Sequence, residues 1–253
     1  MYDHLILKSK SIRQKTFNAF IEQGEAHLGG SFSIIEILIA LYEVILKLDD
    51  KFILSKAHAS FPLCILLRDK GFRTKLTTHL EIDPSNGIQC TTGSLGHGLP
   101  IATGMAMARK RLGHQGKIFV MISDGECQEG STWESLLIGA KHNLDNLILL
   151  IDYNKIQALD RLTDALPLDD LPAKIRAFNW ECKEIMNGEG GCYEAFEAET
   201  AMDIAKQSAT HFMNSTDEAH KPMREMMASS PSEEEQKKWW DWFNSEWDKK
   251  EEV

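Results

Sequence analysis

Cysteine and long apolar runs are both scarce in this sequence of 253 residues. No Cys-x-x-Cys pair or metal-binding spacing occurs, which predicts reduced thiols at the five cysteines, Cys64, Cys90, Cys127, Cys182 and Cys192. No apolar stretch approaches the length of a membrane span, and the segment MYDHLILKSKSIRQK lacks the apolar core of a signal peptide. We therefore predict a soluble, cytoplasmic protein with no membrane partner.

Basic charge is scarce as well. The chain has 28 Lys and Arg residues against 38 Asp and Glu residues, which gives a formal net charge of −10. Because no basic run exceeds the three residues 109–111, the sequence argues against nucleic acid as a partner. No internal repeat or low-complexity linker divides the chain, and its length suits an α/β domain with a large core.

The clearest structural pattern lies in residues 118–157. An apolar run of strand length, Ile118 to Ile122, leads directly into Ser-Asp-Gly at 123–125. Apolar residues follow at helical spacing, and a second apolar run then ends in Asp-Tyr-Asn at 152–154. This order predicts a β-α-β unit whose two strands are parallel and lie in one sheet.

Two oxygen-bearing side chains come directly after these predicted strands, Asp124 after the first and Asn154 after the second. Open α/β sheets bind ligands at the carboxyl ends of their strands, so both side chains are expected to face one point. A carboxylate and an amide oxygen suit Mg²⁺, which completes its coordination shell with phosphate oxygens. The stretch therefore predicts a metal-bridged diphosphate.

Asp-Gly followed after 28 residues by Asn resembles the thiamine diphosphate signature, and the longer match, DGECQEGSTWE and then LDNLILLIDYNKIQ, is similar to transketolases. The resemblance implies that Mg²⁺ is held by the Asp124 and Asn154 side chains and the main-chain oxygen of Ile156. It further implies that Gly125 donates its N–H to the diphosphate, with Glu126 beside it among the cofactor-binding residues. Ser123 replaces the family's Gly, and a left-handed backbone there would cost about 1 kcal/mol or more.

Three histidines lie in segments that resemble active-site segments of the same family. HLGGSFSIIEILIALY resembles the segment whose His lines the substrate channel, which implies that role for His27. SKAHAS resembles the segment whose His contacts the diphosphate, and His58 precedes a predicted helix whose N-terminus favours an anion. His79 matches a third active-site His, with an ordinary surface-loop position as the alternative. The three are predicted to orient hydroxyls or exchange protons.

Other positions match the family's cofactor and interface contacts. In TTGSLGHG the resemblance implies a loop against the cofactor rings, formed by Gly93, Ser94 and Leu95. His220 matches a late His near the diphosphate. Glu129 and Glu134 match family acids in the dimer contact. The alternative is that they form a favourable acid pair in the first turn of a helix.

The fold class predicted is α/β, a doubly wound and mostly parallel sheet with helices on both faces, as in the thiamine diphosphate-binding fold. After Asn154 we predict a helix at 167–178, a strand at 180–186, a turn at 187–191 and a helix at 193–206. The next family strand then has no counterpart in the sequence. Residues 1–227 would form the cofactor-binding domain, and 228–253 a Trp-rich helix that packs on this domain or on a partner.

The resemblance covers only the amino-terminal third or so of a typical transketolase, and the pyrimidine-binding domain with its catalytic Glu has no counterpart here. It implies the diphosphate-binding subunit of a split transketolase, which transfers a two-carbon ketol unit from a ketose or ketose phosphate to an aldose. The second subunit, in an α2β2 assembly, would carry the pyrimidine-binding and C-terminal domains. The alternatives are another thiamine diphosphate carboligase, similar to deoxyxylulose-phosphate synthase, and a non-catalytic regulatory or binding subunit.

Overall fold

The computed structural model describes residues 3–24, 27–155, 157, 160–187 and 190–194, with the backbone alone described for 184–194. Four predictions lie outside these residues: the domain boundary at 227/228, the Trp-rich helix at 228–253, the missing strand after 206 and the position of His220. The predicted metal ligand Ile156 also lies outside them.

Among the described residues one sheet of five strands forms the centre of the fold, with the order β1-β2-β3-β5-β4. Its first three strands are parallel, and the last two form an antiparallel hairpin against β3; they are β1 (Lys51–Leu54), β2 (Ile118–Ser123), β3 (Leu147–Tyr153), β4 (Lys183–Asn187) and β5 (Gly190–Glu194). Ser123 pairs with Asp152 in the β2–β3 register. The last residues of these two strands therefore end side by side.

Eight α-helices surround this sheet in the described part of the chain. They are α1 (Asp3–Gln23), α2 (Leu28–Phe32), α3 (Ile35–Ala40), α4 (Ser60–Asp69), α5 (Gly98–Arg111), α6 (Gly130–Lys141), α7 (Leu162–Ala165) and α8 (Leu171–Ala177). A π-helical turn, Leu41–Ile45, continues α3, and short 3₁₀ turns follow β1 and β2, at Ala57–Ala59 and Gly125–Gln128.

Both faces of the parallel strands are covered by helices. Every residue of β2 and β3 is buried, as is typical of parallel strands that lie between two helical layers. On one face a core cluster joins alternate strand residues such as Val120 to Leu99 of α5 and Leu136 of α6. On the other face the Tyr42 ring contacts the Phe52 ring of β1 edge to face, with 5.9 Å between centroids. The predicted α/β class with helices on both faces is confirmed.

Gly29 and Gly30 lie in the short helix α2, and Ile34 holds the N-cap position of α3 without a side-chain hydrogen bond. One local prediction is wrong. The helix predicted at 193–206 does not begin at Tyr193, because Tyr193 lies in β5 and pairs with Ile151 of β3. Without a neighbouring strand, the edge of β3 would leave backbone N–H and C=O groups unpaired. The hairpin of β4 and β5 pairs with these groups.

Contrary to the expectation from the sequence, one stretch, residues 28–45, is long and apolar enough to cross a membrane by length and composition alone, with 18 residues of mean hydropathy 1.8. More than half of the stretch, 56%, is buried inside the protein. Its apolar residues Ile35, Leu38 and Ile39 are almost completely buried. This is the pattern of a core helix, whose apolar character serves packing within the domain.

Candidate functional site

Asp124 joins the carboxyl ends of β2 and β3. Its side chain is buried, and its Oδ1 accepts a hydrogen bond from the Gly125 N–H at 2.7 Å. Its Oδ2 accepts from the Lys155 N–H at 2.9 Å, across the gap between the two strand ends. Burial and the nearby Asp152 carboxylate raise the pKa of Asp124 to about 6. The site therefore carries negative charge that is poorly solvated, and a bound cation would offset it.

Asp152 is the second carboxylate of the site and is held in a buried ion pair. Its Oδ2 accepts from the Lys56 ammonium group, from the Ser33 hydroxyl at 2.6 Å and from Asn154 Nδ2 at 3.3 Å. The Lys56 and Asp152 side chains are 1% and 5% exposed, so neither charge is screened by water. Nδ2 of Asn154 faces Asp152. Because the oxygen and nitrogen of an amide lie on opposite sides of the planar group, Oδ1 of Asn154 points away from Asp152.

Sequence reasoning did not find Lys56, Asp152 or Ser33 as members of the site. Two signals were present: a charged residue directly follows the apolar run 147–151, and a Lys directly precedes the Ala-His pair at 57–58. The partners themselves lie 96 and 119 residues apart along the chain, so only the folded structure brings them together.

His27 and His58 lie together, with 5.2 Å between ring centroids and the rings at 73°. Burial, followed by the positive charge of Lys56 and the proximity of His27, lowers the pKa of His58 to about 4, although Asp152 opposes the shift. His58 is therefore neutral near pH 7. Gly30 of α2 permits this approach, because a Cβ there would lie 3.3 Å from the His58 ring.

His79 packs directly on Gly93, the first residue of the predicted ring-binding loop. A Cβ at Gly93 would lie 2.3 Å from Cδ2 of His79, so only glycine fits beneath this ring. Backbone hydrogen bonds between Leu80 and Thr92, at 3.0 and 2.9 Å, hold the two segments together. The exposed His79 is thus part of the same wall as Gly93, and its catalytic role stays a prediction.

Glu126 lies completely buried behind the site. Its Oε1 accepts from the Ser55 hydroxyl and from the Gly96 N–H at 3.0 Å, and its Oε2 accepts from the Ser123 N–H at 3.0 Å. Burial raises the pKa of this carboxyl. These three bonds tie the ends of β1 and β2 to the loop that begins at Gly93. A direct contact with the cofactor stays a prediction.

Ser123 fits its position without backbone strain. It is the last residue of β2 and is not among the described residues with positive φ, so the left-handed conformation considered for it does not occur. The left-handed residue of the site is instead Lys155, with φ 63°. This conformation directs the Lys155 N–H to Asp124.

The other predicted residues line the edges of this arrangement. Ser94 and Leu95 are exposed, beside Gly93, and Glu129 and Glu134 are also exposed near the start of α6.

No group of three or more His, Cys, Asp and Glu side chains suited to a metal occurs in the described part of the chain. A site of one carboxylate, one amide oxygen and main-chain oxygen instead suits Mg²⁺, whose remaining positions take water or phosphate. Asp124 and Asn154 therefore fit a magnesium diphosphate.

A parallel α/β sheet with an acid and an amide at neighbouring strand ends defines a cofactor-binding domain of the thiamine diphosphate type. A family model described as "Transketolase, thiamine diphosphate binding domain" matches residues 7–213, and the chain belongs to this family. The resemblance seen in the sequence is thereby confirmed, with thiamine diphosphate as the cofactor.

Its relatives include separate subunits as well as whole enzymes. An apulose-4-phosphate transketolase subunit from Actinobacillus succinogenes is 36% identical over 211 residues, covering 74% of this chain and 76% of the relative. The 6-deoxy-6-sulfo-D-fructose transketolase subunit SqwG of a Clostridium species is 36% identical over 195 residues, covering 69% and 71%. The transketolase structure from Campylobacter jejuni superposes with a TM-score of 0.64 at 25% identity, covering 84% of this chain but 36% of that enzyme. The chain thus spans little more than a third of the full-length transketolase.

Proposed function

We propose that this chain is the diphosphate-binding subunit of a split transketolase, which transfers a two-carbon ketol unit from a ketose or ketose phosphate to an aldose. The observation that carries the proposal is the position of Asp124 and Asn154 after the adjacent strands β2 and β3, where the Lys155 N–H donates to Asp124, in a chain whose relatives include two named transketolase subunits. The relatives matched over most of their own length are these subunits, whereas full-length transketolases are matched over about a third.

The described residues take distinct parts in this proposal. When bound, thiamine diphosphate supplies a thiazolium carbanion that adds to a carbonyl carbon and then accepts electrons. Asp124 and Asn154, with the main chain of Ile156, would hold Mg²⁺. Gly93 with Ser94 and Leu95 would contact the rings.

Histidines form the polar side of the proposed site. His27 and His58 are in contact, and His58 is neutral near pH 7, so it can donate or accept a hydrogen bond without bringing a charge of its own. With His79 they would orient substrate hydroxyls and exchange protons. His220 is proposed near the diphosphate.

A second subunit is part of the proposal because a bound cofactor needs a surface for its pyrimidine ring and the Glu that activates it. Apolar side chains are exposed on α5 and α6, the helices that follow the Gly93 loop and the Asp124 turn: Ile101 at 38%, Leu137 at 58% and Ile138 at 43%. We assign this face, with Glu129 and Glu134, to the partner that carries the pyrimidine-binding and C-terminal domains. An α2β2 assembly in the cytoplasm is the expected form.

Co-expression tests the proposal. The full chain is produced alone and together with a neighbouring reading frame that encodes a pyrimidine-binding domain, and ketol transfer is measured with a panel of ketose phosphates. We expect activity only in the mixture, and only with Mg²⁺ and thiamine diphosphate. A mixture that assembles but binds no cofactor would instead favour a non-catalytic binding subunit. A mixture that uses a 2-oxo acid donor would favour a carboligase similar to deoxyxylulose-phosphate synthase.

A further inference from the structure

Gln157 has a buried amide nitrogen with no acceptor. Its Nε2 atom is inaccessible to solvent and has no hydrogen-bond partner among the described residues. The backbone of the residue is fixed, because its N–H donates to the Asp160 carbonyl at 2.9 Å. A buried donor without an acceptor is unfavourable, and such groups are rare enough in folded proteins to require an explanation.

The position of this amide supplies an explanation. A Cβ added to Gly125 would lie 3.5 Å from Gln157 Nε2 and 3.8 Å from Ser123 Oγ. The amide therefore lies beside Gly125, at the turn that follows Asp124, where glycine places no side chain between the backbone and the amide. An oxygen bound near Gly125 would lie within reach of this donor.

The turn also needs a further donor if it is to hold an anion. The Gly125 N–H, expected from the sequence to bind the diphosphate, already donates to Asp124 Oδ1 at 2.7 Å. Both nearby carboxylates, Asp124 and Asp152, repel an anion. A neutral amide that offers N–H groups is the complementary partner, since hydrogen bonds to phosphate oxygens are charge-assisted.

We infer that Gln157 is a cofactor-binding residue whose Nε2 donates a hydrogen bond to a diphosphate oxygen of the bound cofactor. The inference rests on the proposed function and adds to it a residue beyond the Asp124–Asn154 pair. It accounts for the unsatisfied donor, because the fold positions the amide before binding, at an energetic cost that binding removes.

The test compares Gln157→Met with the unaltered full chain by isothermal titration. Methionine keeps the length of the side chain and removes both amide hydrogens. We expect the affinity for magnesium pyrophosphate, and for thiamine diphosphate with Mg²⁺, to fall by about tenfold or more. Gln157→Glu should lose more, because its carboxylate would face the diphosphate. The Tm of the Gln157→Met protein without added ligand should not fall, since the substitution removes an unpaired buried donor.

Gln128→Met is the matched control, because Gln128 Nε2 is paired with the Leu166 carbonyl at 2.9 Å. It should lower Tm slightly and leave the affinity for pyrophosphate unchanged. If the unaltered chain binds and Gln157→Met binds equally well, the inference is wrong while the proposed function stands. A Gln157→Met protein that loses Tm together with affinity would make Gln157 structural. If the unaltered chain binds neither ligand even with its partner subunit, both the inference and the proposed function fail.

Discussion

Two regions at the same edge of the sheet are built in opposite ways. The closed region consists of Glu126 with Ser55, Gly96 and Ser123, and its carboxylate is fully enclosed by three donors of the protein. The open region consists of Asp124, Asn154 and Gln157, in which a carboxylate carries a raised pKa and an amide nitrogen lacks an acceptor.

The difference separates a structural role from a binding role within one short turn. The closed region satisfies its polar groups internally and so fixes the ends of β1 and β2 relative to the Gly93 loop. The open region leaves charge and hydrogen-bonding capacity unused, which is unfavourable until a ligand supplies the missing partners. Asp124 and Glu126 therefore have different roles, binding and structural, although they are only two residues apart in the sequence.

The largest effect is expected in the open region. Asp124→Ala should abolish Mg²⁺-dependent binding of thiamine diphosphate, because the carboxylate that would hold the metal is gone. The protein should remain folded, since the substitution also removes a buried charge that faces Asp152. Titration calorimetry with circular dichroism measures both. Asp145→Ala is the control, because Asp145 is exposed and precedes β3 at the opposite edge; unchanged affinity in Asp124→Ala would remove the metal assignment.

The closed region should respond in stability. Glu126→Ala leaves three donors without an acceptor and opens a cavity, so the free energy of unfolding should fall by about 3–5 kcal/mol. Glu126→Gln should cost about 1–3 kcal/mol, because its amide hydrogens must oppose one of the N–H donors. Urea denaturation gives both values, with the exposed Glu22→Gln on α1 as the control. A Glu126→Ala protein as stable as the control would show that this region is not a structural centre.

A substitution at His58 tests whether this residue belongs to the binding region or has a structural role. His58→Ala should weaken the binding of magnesium thiamine diphosphate by about 1–3 kcal/mol, the range for a lost charge-assisted hydrogen bond. The affinity comes from calorimetry, and Tm of the free protein shows whether the fold is intact. If affinity is retained, the interaction of His58 with the His27 ring is structural only.

The pH dependence of His58 follows from its surroundings. Burial, Lys56 and His27 lower its pKa from 6.5 in the unfolded chain to about 4, against the opposing effect of Asp152. Below pH 6.5 the unfolded state is protonated at His58, whereas the folded state becomes protonated only near pH 4. His58 therefore lowers the free energy of unfolding as the pH falls from 6.5 to about 4. An NMR titration should place its midpoint near 4 in the folded protein. A midpoint near 6.5 would contradict the buried position.

The smallest effect is expected at Lys155, whose φ of 63° costs free energy in any residue with a Cβ. Lys155→Gly and Lys155→Ala both lose the contact of Lys155 Nζ with the Tyr153 ring, so their difference isolates the backbone. The glycine variant should be more stable by about 1 kcal/mol, the reverse of the usual order. Thermal unfolding measures the difference, and a more stable alanine variant would refute the strained conformation.

The sequence predicts the open region better than the closed one. Asp124 and Asn154 follow apolar runs directly, so the rule that parallel strands end at one edge already places them together. Glu126 and its partner Ser55 are 71 residues apart, and no local pattern reveals that a carboxylate turns into the core. The same limit explains the strand at Tyr193, because its state is set by pairing with the edge of β3 rather than by its own periodicity.

The central claim is that the ends of β2 and β3 hold a magnesium diphosphate. It can be tested by anomalous diffraction from crystals of the chain and its partner subunit grown with thiamine diphosphate and Mn²⁺ in place of Mg²⁺. The account predicts one strong peak bonded to Asp124 Oδ and Asn154 Oδ1, with diphosphate oxygens at roughly 2.0–2.3 Å. Bound cofactor with its metal peak away from these two residues would contradict it.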